Sequence, residues 1–121
     1  NVTLTGGVAL QTQESWCEFI SKDAQSINFG GNAAELYFEE DAFDEFLEKL
    51  AAIKGLVYVH PVREHSWGQR VVRFYDPDRH ILEVGENMKS VCRRFLDSGM
   101  TVEAAARRMD VPEKFIRACT R

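Results

Sequence analysis

The chain is expected to fold as an α+β domain, and three observations carry that expectation. Two runs in which apolar and polar residues alternate, 69–75 and 80–85, flank the turn signal Asp76-Pro77-Asp78-Arg79, which is the pattern of a β-hairpin. Upstream, Phe43, Phe46, Leu47 and Leu50 recur at i, i+3, i+4 and i+7, the stripe of an amphipathic helix set between strand-like runs. Beyond residue 86 the apolar spacing is helical. From residue 33 the expected order is therefore strand, helix, strand, strand, strand, with strands before it and helices after.

The 121 residues are enough for one domain with a small appendage and a real core. Net charge is −4, but unevenly placed: residues 1–85 carry 7 basic and 14 acidic side chains, and residues 86–121 carry 8 and 5. A basic tail follows an acidic body, and the overall balance argues against nucleic acid as the partner of the whole chain. Cys17, Cys92 and Cys119 are odd in number, widely spaced and without a CxxC, so they read as reduced thiols of a cytoplasmic protein. There is no run of 18 apolar residues and no apolar leader, so no membrane is expected. The chain opens at Asn1 almost directly in a strand, and a segment upstream is expected to be missing.

In chain order, residues 2–10 are rich in β-branched residues around Gly6-Gly7, a hairpin turn or bulge. Residues 15–20, SWCEFI, read as the next strand, with Cys17 and Phe19 on one face and Trp16, Glu18 and Ile20 on the other. Residues 21–32 have little apolar content and suit a linker. Residues 33–39 are a strand, and Asp41 is the expected N-cap of the helix that Gly55 closes. Residues 56–62 form a strand that is an edge, or ends, at Pro61. Met88, Val91, Cys92, Phe95 and Leu96 line a helix ending at Ser98-Gly99. Thr101 caps a second, and Pro112 lies in the first turn of a third.

If Leu36 and Phe38 pack on the helix, Glu35 must face the other side of the sheet. The same parity sends Val72, Phe74, Leu82 and Val84 to the helix and Arg73 and Glu83 away, and in the strand expected at 15–20 it sends Glu18 away. One face then collects Glu18, Glu35, Glu83 and Arg73 among Trp16, Tyr37, Val71 and Tyr75, a mixture suited to a cleft. Polar residues on a solvated sheet face need no function, but this many aromatic and aliphatic neighbours would be a costly exposed patch unless something occupies it. Three carboxylates can hold a hard divalent cation through oxygen. Arg73 can equally neutralise them, leaving an organic pocket.

The segments FYDPDRHILEVGE at 74–86, WGQR at 67–70 and AELYFEEDAFDEFLEKL at 34–50 together resemble the vicinal-oxygen-chelate superfamily, the glyoxalase, bleomycin-resistance and extradiol-dioxygenase group. That resemblance implies two βαβββ modules around a shared cleft. It makes residues 1–86 a glyoxalase-like domain, with 1–32 a remnant of the first module and 33–86 a complete second one, and leaves 87–121 as a helical extension. It also implies a divalent metal bound by Glu83 and Glu18 in the last-strand positions of the two modules and by Glu35, which stands where the family usually has histidine or glutamine. Carboxylate in place of imidazole weakens a soft or borderline metal site. The open sheet and the family's shared clefts imply a homodimer. Arg79 stands where the family commonly has glycine in the turn.

Of the histidines, His60 and His80 read as solvated. His65, in the loop before Trp67, is the one expected near the cleft, as an acid or base near neutral pH. The tail at 101–119 resembles a helix-turn-helix, yet offers only Lys114 beside Glu113 at the start of its second helix, so it is expected to pack on the body or on a partner subunit rather than on DNA. Two readings stay open. In one, Glu18, Glu35 and Glu83 hold a metal for lyase, isomerase or dioxygenase chemistry, with Glu35 and His65 moving protons and Trp16, Tyr37, Trp67, Arg73 and Tyr75 contacting the substrate. In the other, the same face binds a small molecule without metal or catalysis, as bleomycin-resistance proteins do.

Overall fold

A computed structural model describes residues 2–120, and the chain divides between Gly31 and Asn32 into two units. In the first unit, β1 (Val2–Thr3) pairs antiparallel with β2 (Ala9–Leu10). Gly6 and Gly7 between them have φ of 97° and 88°, values open to glycine at little cost, so the expected hairpin turn forms.

The strand expected at 15–20 is instead a helix, α1 (Gln13–Ile20). Thr12 caps it, its hydroxyl accepting from the Ser15 amide at 3.2 Å, and Ser21 ends it in the left-handed region. A six-residue run with mixed apolar positions fits either period, and the cap together with the helix formers Gln13 and Glu14 decides it. Trp16 and Glu18 therefore stand on a helix, and the strand parity that assigned Glu18 to a sheet face does not apply. A single 3₁₀ turn, Ala24–Ser26, capped by Asp23, follows.

The second unit holds β3 (Glu35–Glu40), α2 (Phe43–Ala51), β4 (Val57–Glu64), β5 (Arg70–Tyr75) and β6 (Ile81–Glu86), the expected strand, helix and three strands. The sheet order is β3-β6-β5-β4, with β3 parallel to β6 and the other neighbours antiparallel. The expected cap Asp41 is not used: α2 begins after Ala42, whose amide donates to Glu40 Oε1 at 3.0 Å. The α2 stripe covers one sheet face, burying Phe43 and Leu50 against Val72, Phe74 and Val84, with Leu82 beside them. Leu36 and Phe38 lie opposite Leu82 and Val84 in register but remain 45% and 42% exposed and are not part of the core that α2 closes. On the other outer strand, Pro61 is tolerated within β4, where the pairing to β5 shifts register around His60.

Helices α3 (Met88–Asp97), α4 (Val102–Met109) and α5 (Glu113–Ala118) enclose a second core, with Val91, Cys92, Ala105 and Ile116 fully buried. Thr101 caps α4 as expected, accepting from the Ala104 amide at 3.1 Å. Cys92 is a core thiol whose pKa burial and the neighbouring Cys119 push up to about 12. All three cysteines are free. The helices dock on the loop before β5. Gly68, at φ 87°, lies so close to Phe95 that a Cβ there would fall 2.3 Å from its ring, and Arg94 donates to the Gly68 carbonyl at 2.7 Å. No described helix is long and apolar enough to cross a membrane.

Candidate functional site

Strand register builds the site. Arg73 alternates with Val72 and Phe74, which face α2, and Glu83 alternates with Leu82 and Val84, so both project from the open face. Tyr37 pairs with Glu83, Glu83 with Arg73, and Arg73 with His60, one residue from each of the four strands. Glu35 precedes Tyr37 by two and shares its face.

Arg73 binds three of these groups. Its Nε donates to Glu35 Oε2 at 2.8 Å, one terminal nitrogen donates to Glu83 Oε1 at 2.6 Å, and the other lies 3.2 Å from His60 Nε2. His60 Nδ1 lies 2.7 Å from the Pro61 carbonyl, which can only accept, so Nδ1 carries the proton and Nε2 accepts from Arg73. His60 is only 8% exposed, which corrects its reading as solvated. The bulged register of β4 hides its facing from any simple alternation.

The two carboxyls are driven apart in acidity. Glu35 is held below the ordinary carboxylate range by the hydrogen bond from Arg73 and by one with Glu83. Glu83 is pushed up by burial and by the bond to Glu35, against the pull of Arg73. Glu35 is thus biased toward its anion and Glu83 toward its acid form, both against the Arg73 guanidinium.

A second polar chain borders it. Gln69, buried and not singled out from the sequence, donates to Tyr37 Oη at 2.9 Å and to the Glu86 carbonyl at 3.0 Å, and accepts from Trp67 Nε1 at 3.0 Å. A Cβ at Gly85 would lie 2.8 Å from Gln69 Nε2 and 3.2 Å from Tyr37, so the glycine makes room for this contact. Trp67 stacks on His65, ring centroids 4.2 Å apart. Tyr75 donates to Asn32 Oδ1 at 2.8 Å. Glu35, Tyr37, Arg73 and Glu83 thus come together, His65 and Trp67 join through Gln69, and Trp16 and Glu18 belong to the first unit.

The donor set around Arg73 does not suit a divalent metal. Glu35, Glu83 and His60 all turn acceptor atoms to the guanidinium, so a metal bound by them would sit against a fixed positive charge. Among the described residues, the carboxylate and imidazole donors that gather within 4.8 Å as a group of three are Asp76, Asp78 and His80. Asp76 there closes the β5–β6 turn, accepting from the Asp78 and His80 amides at 2.9 Å.

Residues 1–89 match the glyoxalase-like domain family. Among solved structures, a protein of unknown function from Agrobacterium tumefaciens str. C58 is 37% identical, with 60% of this chain and 56% of that one covered and a TM-score of 0.48. A member of the glyoxalase/bleomycin resistance protein/dioxygenase superfamily from Sphaerobacter thermophilus DSM 20745 is 25% identical over 45% of this chain and 44% of that one, with a TM-score of 0.39. The chain spans about half the length of these structures. No curated protein matches it.

Proposed function

Because the chain belongs to the glyoxalase-like domain family, we propose that the open face of its four-stranded sheet binds a small organic molecule, with Arg73 supplying the positive charge that a divalent ion would otherwise bring. The observation that carries this reading is the double hydrogen bond from Arg73 to Glu35 and Glu83. In this reading Tyr37, Trp67 and Tyr75 offer aromatic surface to the body of the ligand, and the Arg73 guanidinium offers N–H donors to its oxygen atoms. Glu35 is the acceptor. His65, stacked on Trp67, contributes to the wall. Trp16 and Glu18 belong to the first unit and have no assigned part in this reading. The protein acts as a homodimer, in which a second copy covers the exposed apolar residues of β3.

Metal content of the purified protein tests the reading, measured by elemental analysis for the native chain and for Glu83→Gln. We expect no stoichiometric metal in either. A stoichiometric divalent metal in the native protein that is lost on Glu83→Gln would overturn it and restore metal-assisted lyase or dioxygenase chemistry.

A further inference from the structure

On the other side of the sheet, where α2 runs into β4 and beside the β5–β6 turn, lies a half-open cavity of about 640 Å³. Its floor is Leu56, Phe74 and Leu82, residues of the α2-side core that face away from Arg73 and Glu83. Ile53 and Val57 at its mouth are 54% and 60% exposed, an apolar surface that water covers at a cost. The volume falls in the range of small-molecule sites, and so does the make-up, mostly apolar with a few polar groups.

Charge distinguishes this cavity from a mere crevice. Its lining includes Lys54 and Arg79, and neither side chain makes an ion pair or hydrogen bond with another described residue. The one acidic group of the lining, Asp76, is engaged by the amides of Asp78 and His80 and by the His80 ring. An acidic chain of net charge −4 thus places two unengaged cations around an apolar floor. Arg79 does so at φ 69°, in the left-handed region where glycine would carry no strain. The backbone is held there by the turn, with the Arg79 amide donating to Asp76 O at 2.9 Å.

We propose that this cavity is a second ligand site, for a small amphipathic carboxylate whose apolar body rests on Leu56, Phe74 and Leu82 and whose acid group meets Lys54 and Arg79. The site is separate from the one on the open face and does not depend on it.

Decanoate is the probe, with 1-decanol as its uncharged analogue, titrated into the native chain by calorimetry and by amide chemical shifts. Saturable decanoate binding is expected, with shifts at Gly55, Leu56, Asp76 and Leu82 and none at Tyr37 or Gly85. The doubly substituted Lys54→Ala, Arg79→Gly chain should weaken decanoate at least about tenfold, since hydrogen bonds to a charged partner are lost, and leave decanol unchanged. Both substitutions are at the surface and Arg79→Gly removes strain, so the fold is retained and the amide spectrum verifies it. Decanol binding as tightly as decanoate, equal binding by the double variant, or shifts centred on Tyr37 and Gly85 would each overturn the proposal.

Discussion

Glu83 and Arg79 show how single residues depart from what their local structure favours, and each departure predicts a measurable effect. A buried carboxyl whose pKa is raised on folding stabilises the protein below its ordinary value, 4.5, and loses that contribution as pH rises through the raised folded value. Stability should therefore fall with rising pH across that window in the native chain, and this component should be absent in Glu83→Gln. Urea unfolding at a series of pH values reads the difference between the two; parallel curves would show that Glu83 titrates as it does in the unfolded chain. Arg79 at φ 69° carries the left-handed penalty of a residue with a Cβ. Arg79→Gly should recover about 1 kcal/mol, less the entropy that glycine adds to the unfolded chain, read as a higher urea midpoint at unchanged slope.

At the scale of elements, Glu86 joins strands to helices. Its carboxylate, 5% exposed, accepts from the Arg70 amide at 2.9 Å, the Arg70 guanidinium at 3.0 Å and Arg94 of α3 at 3.0 Å, while Arg70 also pairs with Asp44 of α2. Removing it leaves two partly buried guanidiniums short of a partner, so Glu86→Ala should cost about 3 kcal/mol at neutral pH. Burial pushes the acid upward, but the Arg70 bonds outweigh it and the net pKa lies below the ordinary 4.5. Its contribution is therefore complete above pH 4.5 and is lost as pH falls through the lower folded value, so the gap between native and Glu86→Ala should narrow in acid. How legible such elements are depends on what holds them. The β5–β6 hairpin could be read because its turn chemistry and alternation are local, and the parity of Arg73 and Glu83 followed. Helix α1 could not, since six residues fit both periods and the deciding hydrogen bond comes from Thr12 outside the run. His60 and Gln69 were missed because their roles come from partners 13 and 32 residues away and, for His60, from a bulged register.

At the scale of the molecule, the basic tail and acidic body read from the sequence meet in the structure. Arg94 and Arg108 of the tail pair with Glu64, at 3.7 and 3.1 Å, so part of the charge asymmetry is complementarity within the chain. The sheet is less complete. Among the described residues neither β3 nor β4 has a strand on its outer side. Pro61 and shifted register blunt β4 against pairing, but β3 has neither proline nor a register shift and exposes Leu36, Tyr37 and Phe38 by 45%, 47% and 42%. An uninterrupted edge with three large apolar or aromatic side chains is a template for association, and a second copy of β3 can satisfy both its backbone and its side chains. Light scattering on the eluting peak should give twice the 13.8 kDa of one chain. Phe38→Lys, placed on an exposed strand and outside either core, should leave the fold intact and shift the peak to the monomer. A native chain that elutes as a monomer at every concentration, or a Phe38→Lys variant that stays dimeric, would exclude β3 as the contact.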